Sequence, residues 1–134
     1  MSVMTDGLYT LLTTDQTSGS FYDDIGGRIS FLQADQDEVL PHCVVNVIDD
    51  PPFRYGGNVN DIESTVQIDL WGAIGAGYDA LSDINDKLYT VLDGQAVTIT
   101  GFTGTQAFNL DRGVPTTEED AIRILSRWRI WASA

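Results

Sequence analysis

Cysteine and histidine each occur once, as Cys43 and His42, and only seven residues carry a basic side chain. A single cysteine excludes an intrachain disulfide, and its place within an apolar stretch predicts a packed thiol rather than a reactive one. His42 adjoins it in sequence. Neighbours on a strand point to opposite faces, so these two cannot converge as metal ligands or as a nucleophile and its base. No apolar run reaches spanning length, and the chain does not open on a basic segment followed by an apolar one. Neither a membrane partner nor a secretion leader is therefore expected.

Phosphate-binding chemistry is also missing. Gly26-Gly27, Gly56-Gly57 and Gly75-Ala76-Gly77 do not make a dinucleotide or P-loop fingerprint. Asp49-Asp50 and Glu118-Glu119-Asp120 lack calcium-loop spacing, and acidic pairs at strand ends are usually solvated. No pair of carboxylates stands out for acid–base work. The reading is of a protein without catalytic, cofactor or metal residues.

What the chain has instead is acid. Twenty Asp and Glu against seven Lys and Arg give a formal net charge of −13. Such a surface repels phosphates over roughly 8 Å at physiological salt, which disfavours sequence-specific nucleic-acid binding through a basic patch. Solubility or adaptation to salt accounts for the charge on composition alone. Six of the seven cations are arginines: Arg28, Arg54, Arg112, Arg123, Arg127 and Arg129.

With 134 residues the chain is read as one domain, residues 1–134, able to bury roughly 65–70% of its unfolded surface. Leu8, Leu11 and Leu12 recur at helical spacing and predict a short helix ending near Asp15. A turn at Asp24–Gly27 leads into a short strand over Arg28–Leu32. Cys43–Ile48 is apolar on both faces, which predicts an internal strand ended by Pro51-Pro52. Val66, Ile68 and Leu70 alternate with Gln67, Asp69 and Trp71, giving a strand with one aliphatic face. Tyr78–Leu92 reads as an amphipathic helix burying Leu81, Ile84, Leu88 and Val91, with Asp79, Asp83 and Asp86 on another face and an Asp83–Lys87 pair. Strands follow at Ala96–Thr100, Thr105–Leu110 and Ala121–Trp131. The fold class is α+β: a mostly antiparallel sheet, two helices on one face, and a long strand-to-strand loop.

The last strand divides unequally. Ile122, Ile124, Trp128 and Ile130 share one face, interrupted by Ser126, whereas Arg123, Leu125, Arg127, Arg129 and Trp131 share the other. If helices cover the aliphatic face, the Arg/Trp face stays open together with Asp69 and Trp71. Cross-strand ion pairs, with Trp rings over Arg stems, are the favoured reading, at ~0.2–1 kcal/mol per pair. An interface is the sharper alternative, because Trp and Arg anchor contacts. The interface candidates are Asp69, Trp71, Arg112, Arg123, Arg127, Arg129 and Trp131, the helix acids Asp79, Asp83 and Asp86, and loop residues Arg54, Tyr55, Asn58, Asn60 and Asp61.

These segments together resemble the tail-completion, or tail-terminator, family of long-tailed bacteriophages and gene-transfer particles. The likeness spans nearly the whole chain. It covers the N-terminal helix, DIGGRI, LPHCVVNVIDDPP, STVQIDLWGAIGAGYDALSDINDKLYTVL and RILSRWRIWA. It implies a structural virion protein of the tail or neck, assembled in the host cytoplasm, with no cofactor and no catalysis. It further implies a homo-hexameric ring that caps the tail tube protein, stops its polymerisation and offers a surface to the head-completion or stopper protein. DNA would pass through the ring without sequence-specific binding, and a negative wall has no phosphate attachment to break. The alternatives are a head-to-tail connector or stopper of the neck, a small acidic metal-dependent enzyme using Asp49, Asp50 or the Glu118–Asp120 cluster, and a monomeric ligand-binding domain.

The loop from Pro52 to Ile62 is long for a connection between two strands, and long loops tend to be functional. It is expected to be mobile in the free subunit and to order against a neighbouring subunit or the tube. Replacing it with a tight turn should leave the fold intact, measured by thermal melting, and impair assembly. Normal tail lengths and infectivity in that deletion would contradict the role.

Overall fold

A computed structural model describes residues 3–31, 39–49, 61–99, 102, 104–118 and 120–133. The elements run α1 (Val3–Thr13), α2 (Phe21–Asp24), β1 (Ile29–Phe31), β2 (His42–Asp49), β3 (Asp61–Ala73), a 3-10 turn (Ile74–Ala76), α3 (Gly77–Leu92), β4 (Gly104–Asp111), β5 (Pro115–Glu118) and β6 (Ala121–Ser133). The expected loop residues Pro52 to Asn60 lie outside the described residues, and Asp61 and Ile62 open β3 instead.

The fold is α+β, as the hydrophobic patterning predicts. The six strands form one sheet in the order β1-β2-β3-β6-β4, with β5 also paired to β6. Among the described strands only β1 and β2 run parallel, and every other pairing is antiparallel. At its centre, β3 and β6 pair from Asp61↔Ser133 to Ala73↔Ala121 without a register shift. Period-two alternation over that length sends Val66, Ile68, Leu70, Ile122, Ile124, Trp128, Ile130 and Ala132 to one side, and all are buried.

Helices cover that side. Met4, Leu8 and Leu12 of α1, Phe21 of α2, and Leu81, Ile84, Leu88 and Leu92 of α3 join the strand residues in one core. In α3 it is Leu92 rather than Val91 that is fully buried. Among the buried polar groups in this layer, Ser64 Oγ has no hydrogen-bond partner among the described residues, whereas Trp128, Ser126 and Asn85 are satisfied. Trp128 donates its indole N–H to Ser126 Oγ at 2.9 Å, and Ser126 in turn donates to the Ile68 carbonyl at 3.3 Å. The serine that interrupts the aliphatic face thus satisfies the tryptophan on the same face. Asn85, buried on α3, donates to the Arg112 carbonyl at 3.2 Å.

Several expectations change. Ala96–Ile99 is extended but forms no strand. The Thr105 hydroxyl accepts from the Val97 N–H at 3.0 Å and donates to the Val97 carbonyl, so a side chain stands in for ladder hydrogen bonds. Nearby, Gly94 and Gln95 bond Ala107 through the backbone, and Asp93 accepts from the Asn109 N–H, which covers the outer edge of β4. Lys87 pairs with Asp24 at 2.5 Å instead of Asp83, tying α3 to α2. α2, absent from the sequence reading, is a single turn whose N-cap Ser20 accepts from the Asp23 N–H.

The turn between β4 and β5 needs a glycine. Gly113 has φ +74°, and a Cβ there would stand 1.9 Å from the Leu125 carbonyl oxygen. Gly113→Ala is therefore expected to destabilise by about 3 kcal/mol, from strain plus displacement of β6 backbone. Gly75→Ala, with nothing within 4 Å of its Cβ, should change stability by less than about 0.5 kcal/mol. Urea unfolding midpoints of the two variants check this, and equal midpoints would contradict it.

Candidate functional site

The sheet face away from the helices collects the polar alternates. Register places His42 opposite Trp71, Trp71 opposite Arg123, Gln67 opposite Arg127, Thr65 opposite Arg129 and Glu63 opposite Trp131. On the far side of β6, Gln106 faces Trp131, Phe108 faces Arg129 and Asp111 faces Arg127. Directly opposed residues share a face, so these side chains form one surface across four strands. No helix of the described residues covers it.

Within this surface the three arginines of β6 differ. Arg123 donates to Asp69 Oδ2 at 3.0 Å and to Glu118 Oε1 at 3.1 Å, linking β3, β5 and β6. Its guanidinium lies 5.3 Å from the centre of the Trp71 ring, and Trp71 stacks in turn on His42 with ring centres 6.4 Å apart. Burial opposes its charge, yet the hydrogen bonds it donates to Asp69 and Glu118 win and hold its pKa above the ordinary guanidinium value. Asp69 Oδ1 and Arg123 Nε are buried without hydrogen-bond partners among the described residues. The pair is held mainly by its single contact and by packing.

Arg129 is exposed and lies 3.8 Å from Glu63, a loose surface pair of little energetic weight. Arg127 is exposed with no ion pair among the described residues. Trp71 and Trp131 are half-buried, and Phe108 is an exposed aromatic ring beside Arg129. Cation pairing inside the subunit thus describes Arg123 and leaves Arg127 available.

The other candidates lie elsewhere. Arg112, in the β4–β5 turn, pairs with Asp86 of α3 and sits 4.4 Å over the Tyr89 ring, so its charge already ties that turn to the helix. Asp79 and Asp83 are exposed on the outer face of α3 and form no ion pair among the described residues. Arg54, Tyr55, Asn58 and Asn60 lie outside the described residues, and Asp61 is placed only as the first residue of β3. Sequence reasoning missed Phe108 and Glu118 as parts of this face. Phe108 was legible only as a strand hydrophobe, and Glu118 sits on a short strand that carries no alternation signal.

Among the described residues no group of three or more His, Cys, Asp or Glu side chains is placed to hold a metal ion. Cys43 is fully buried on the closed face, and burial pushes its thiol pKa far above the normal range, with Asp69 adding to the shift. No described helix is long and apolar enough to cross a membrane.

No protein-family model and no curated sequence matches the chain. Its fold does match solved structures. A chain from the virion of a native gene transfer agent particle superposes with a TM-score of 0.68 at 11% identity, covering 98% of both chains. A second solved chain superposes with a TM-score of 0.60 at 10% identity, over 92% of this chain and 97% of the other. At these identities the likeness is one of fold, and it extends end to end in both cases.

The contrast among the arginines is measurable. Arg123→Ala leaves Asp69 without its counter-charge, with side-chain exposures of only 12% for Asp69 and 23% for Arg123. The expected loss is about 2–3 kcal/mol, discounted from a fully buried pair for that residual exposure. Arg127→Ala should stay within about 0.5 kcal/mol. Chemical denaturation reads both, and an Arg123 variant as stable as wild type would show that the network contributes nothing.

Proposed function

We propose that this chain is a structural virion protein of the tail-terminator type. In this reading it assembles into a ring on the tip of a tail tube, stops tube growth and presents a surface to the head-completion or stopper protein. The observation that carries the proposal is the open sheet face: exposed arginines beside an aromatic ring on a molecule of net charge −13. Cations this few are not needed for solubility, and two of them on the β6 face are bound loosely or not at all within the subunit. The end-to-end match to a chain of a gene transfer agent virion supports the same reading, as do the patterns shared with the terminator family.

The role asks little chemistry of the chain. A terminator must be rigid where it docks and complementary to a partner on two separate patches, because head-to-tail contacts alone close rings. The helix-backed sheet supplies a stiff platform, and the central ladder fixes which residues it presents. An acidic ring wall would let DNA slide past without phosphate contacts to break.

Purified protein added to polymerising tube subunits of its own particle should arrest growth, read as tube length by negative-stain electron microscopy. Arg127→Glu/Arg129→Glu should fold with a melting temperature close to wild type and lose this arrest. Like charges facing an acidic partner cost a few kcal/mol at a desolvated contact, against about half a kcal/mol per site on a free surface. If the double variant unfolds, the arginines are structural. If it folds and still arrests growth, this face is not the working surface. Wild-type protein bound at the neck without affecting tube length would instead indicate a connector or stopper.

A further inference from the structure

A groove of about 230 Å³ runs along the N-terminal half of α3, lined by Leu40, Pro41, Gly72, Ala80, Leu81 and Ile84 among others. Its lining is short or apolar, with no titratable group among the described residues. Asp79 and Asp83 each precede a lining residue, Ala80 and Ile84, by one position. Asp79 also lies three positions after Ala76 and Asp83 three after Ala80, both lining residues, so at i,i+3 spacing the two acids border the groove from the exposed side of the helix, without ion pairs among the described residues.

On the opposite side of the sheet the polarity reverses. Phe108 and Leu110 are exposed apolar side chains of β4, and Leu110 sits at the bulge between Asn109 and Asp111. Phe108 faces Arg129 across the β4–β6 pairing, and Arg127 lies one face-sharing position away on β6. This is an apolar projection flanked by two cations, with Asp111 and Glu63 on the same face but not closely paired to them, and the groove is an apolar recess flanked by two anions.

We propose that the groove on α3 is the socket for a second copy of this chain, which inserts the Phe108–Leu110 projection and sets Arg127 and Arg129 against Asp79 and Asp83. The contact deepens the ring-forming function proposed above and rests on it for closure, since a head-to-tail contact propagates until its rotation closes. The charge pattern favours a contact between unlike patches. Two copies of the acidic helix face would repel, and on the arginine face Arg127 has no ion pair among the described residues while Arg129 has only its loose contact with Glu63, so both cations gain most from the unlike patch. Arg112 and Asp86 do not enter, because they already pair with each other.

Site-directed disulfide cross-linking tests the contact on the whole chain, since the only native cysteine is buried and does not compete. The variant A80C/L110C, oxidised at high protein concentration, is expected to give a ladder of multimers on a non-reducing gel. Each single variant should remain monomeric, because only unlike patches meet. Adding R127E/R129E should lower the cross-linking yield roughly tenfold or more, and D79K/D83K on top should restore it. The pair D83C/F108C serves as a second probe should A80C/L110C prove poorly folded by circular dichroism. A missing ladder with both pairs, dimers from a single variant, or a yield indifferent to charge reversal would each overturn the proposal. A ladder from a protein that fails to arrest tube growth would remove the terminator reading and leave the contact standing. Tube arrest without any ladder would remove the contact alone.

Discussion

The pairing of β3 with β6 fixes everything else in this molecule. Thirteen residues on each strand align in continuous antiparallel register, and a slip of one position would turn every side chain to the other face. Such a slip would bury arginines under the helices and expose the three isoleucines of β6 or their valine and leucine partners. The cost of that exchange is large, so the register is strongly specified. Once it is set, one face must be closed by α1, α2 and α3, and the other must stay polar.

From this division follows a split of labour among like residues. Arg123, Arg127 and Arg129 occur at alternate or near-alternate positions of one strand, yet their surroundings differ. The end of the sheet near Arg123 is flanked by β5, which brings Glu118, and by β3, which brings Asp69 and Trp71. Charges held there serve the subunit, because a partly buried guanidinium without its carboxylates would cost more than it contributes. Toward Arg127 and Arg129, β4 offers a bulge and an aromatic ring instead of acids within close pairing distance. The same side chain is thus structural at one end of the strand and available for a partner at the other.

Much of this was legible in the sequence. Alternation in Val66–Trp71 and Ile122–Trp131 assigned both faces correctly, and Leu81, Ile84 and Leu88 marked the buried side of α3. What escaped has physical causes. β5 begins at a proline and continues Thr-Thr-Glu, a short polar edge segment with no hydrophobic period. Ala96–Ile99 has β-branched residues and alternating burial, but the Thr105 hydroxyl takes the backbone bonds that would have made it a strand. Lys87 had a helix neighbour at favourable spacing and chose Asp24, whose position depends on the tertiary packing of α2. The candidate site was legible as a face but not as a set of separate roles, since ion-pair partners such as Glu118 reach Arg123 only through the fold.

The central claim is that Arg127 and Arg129 face a neighbouring subunit whereas Arg123 serves its own. Cryo-electron microscopy of the protein assembled on its own tube tests it most directly. The account predicts Arg127 and Arg129 within ion-pair distance of carboxylates from the adjacent copy, with Arg123 still bound to Asp69 and Glu118. Arg127 and Arg129 pointing into solvent, or Arg123 released from its pairs to contact a neighbour, would contradict it.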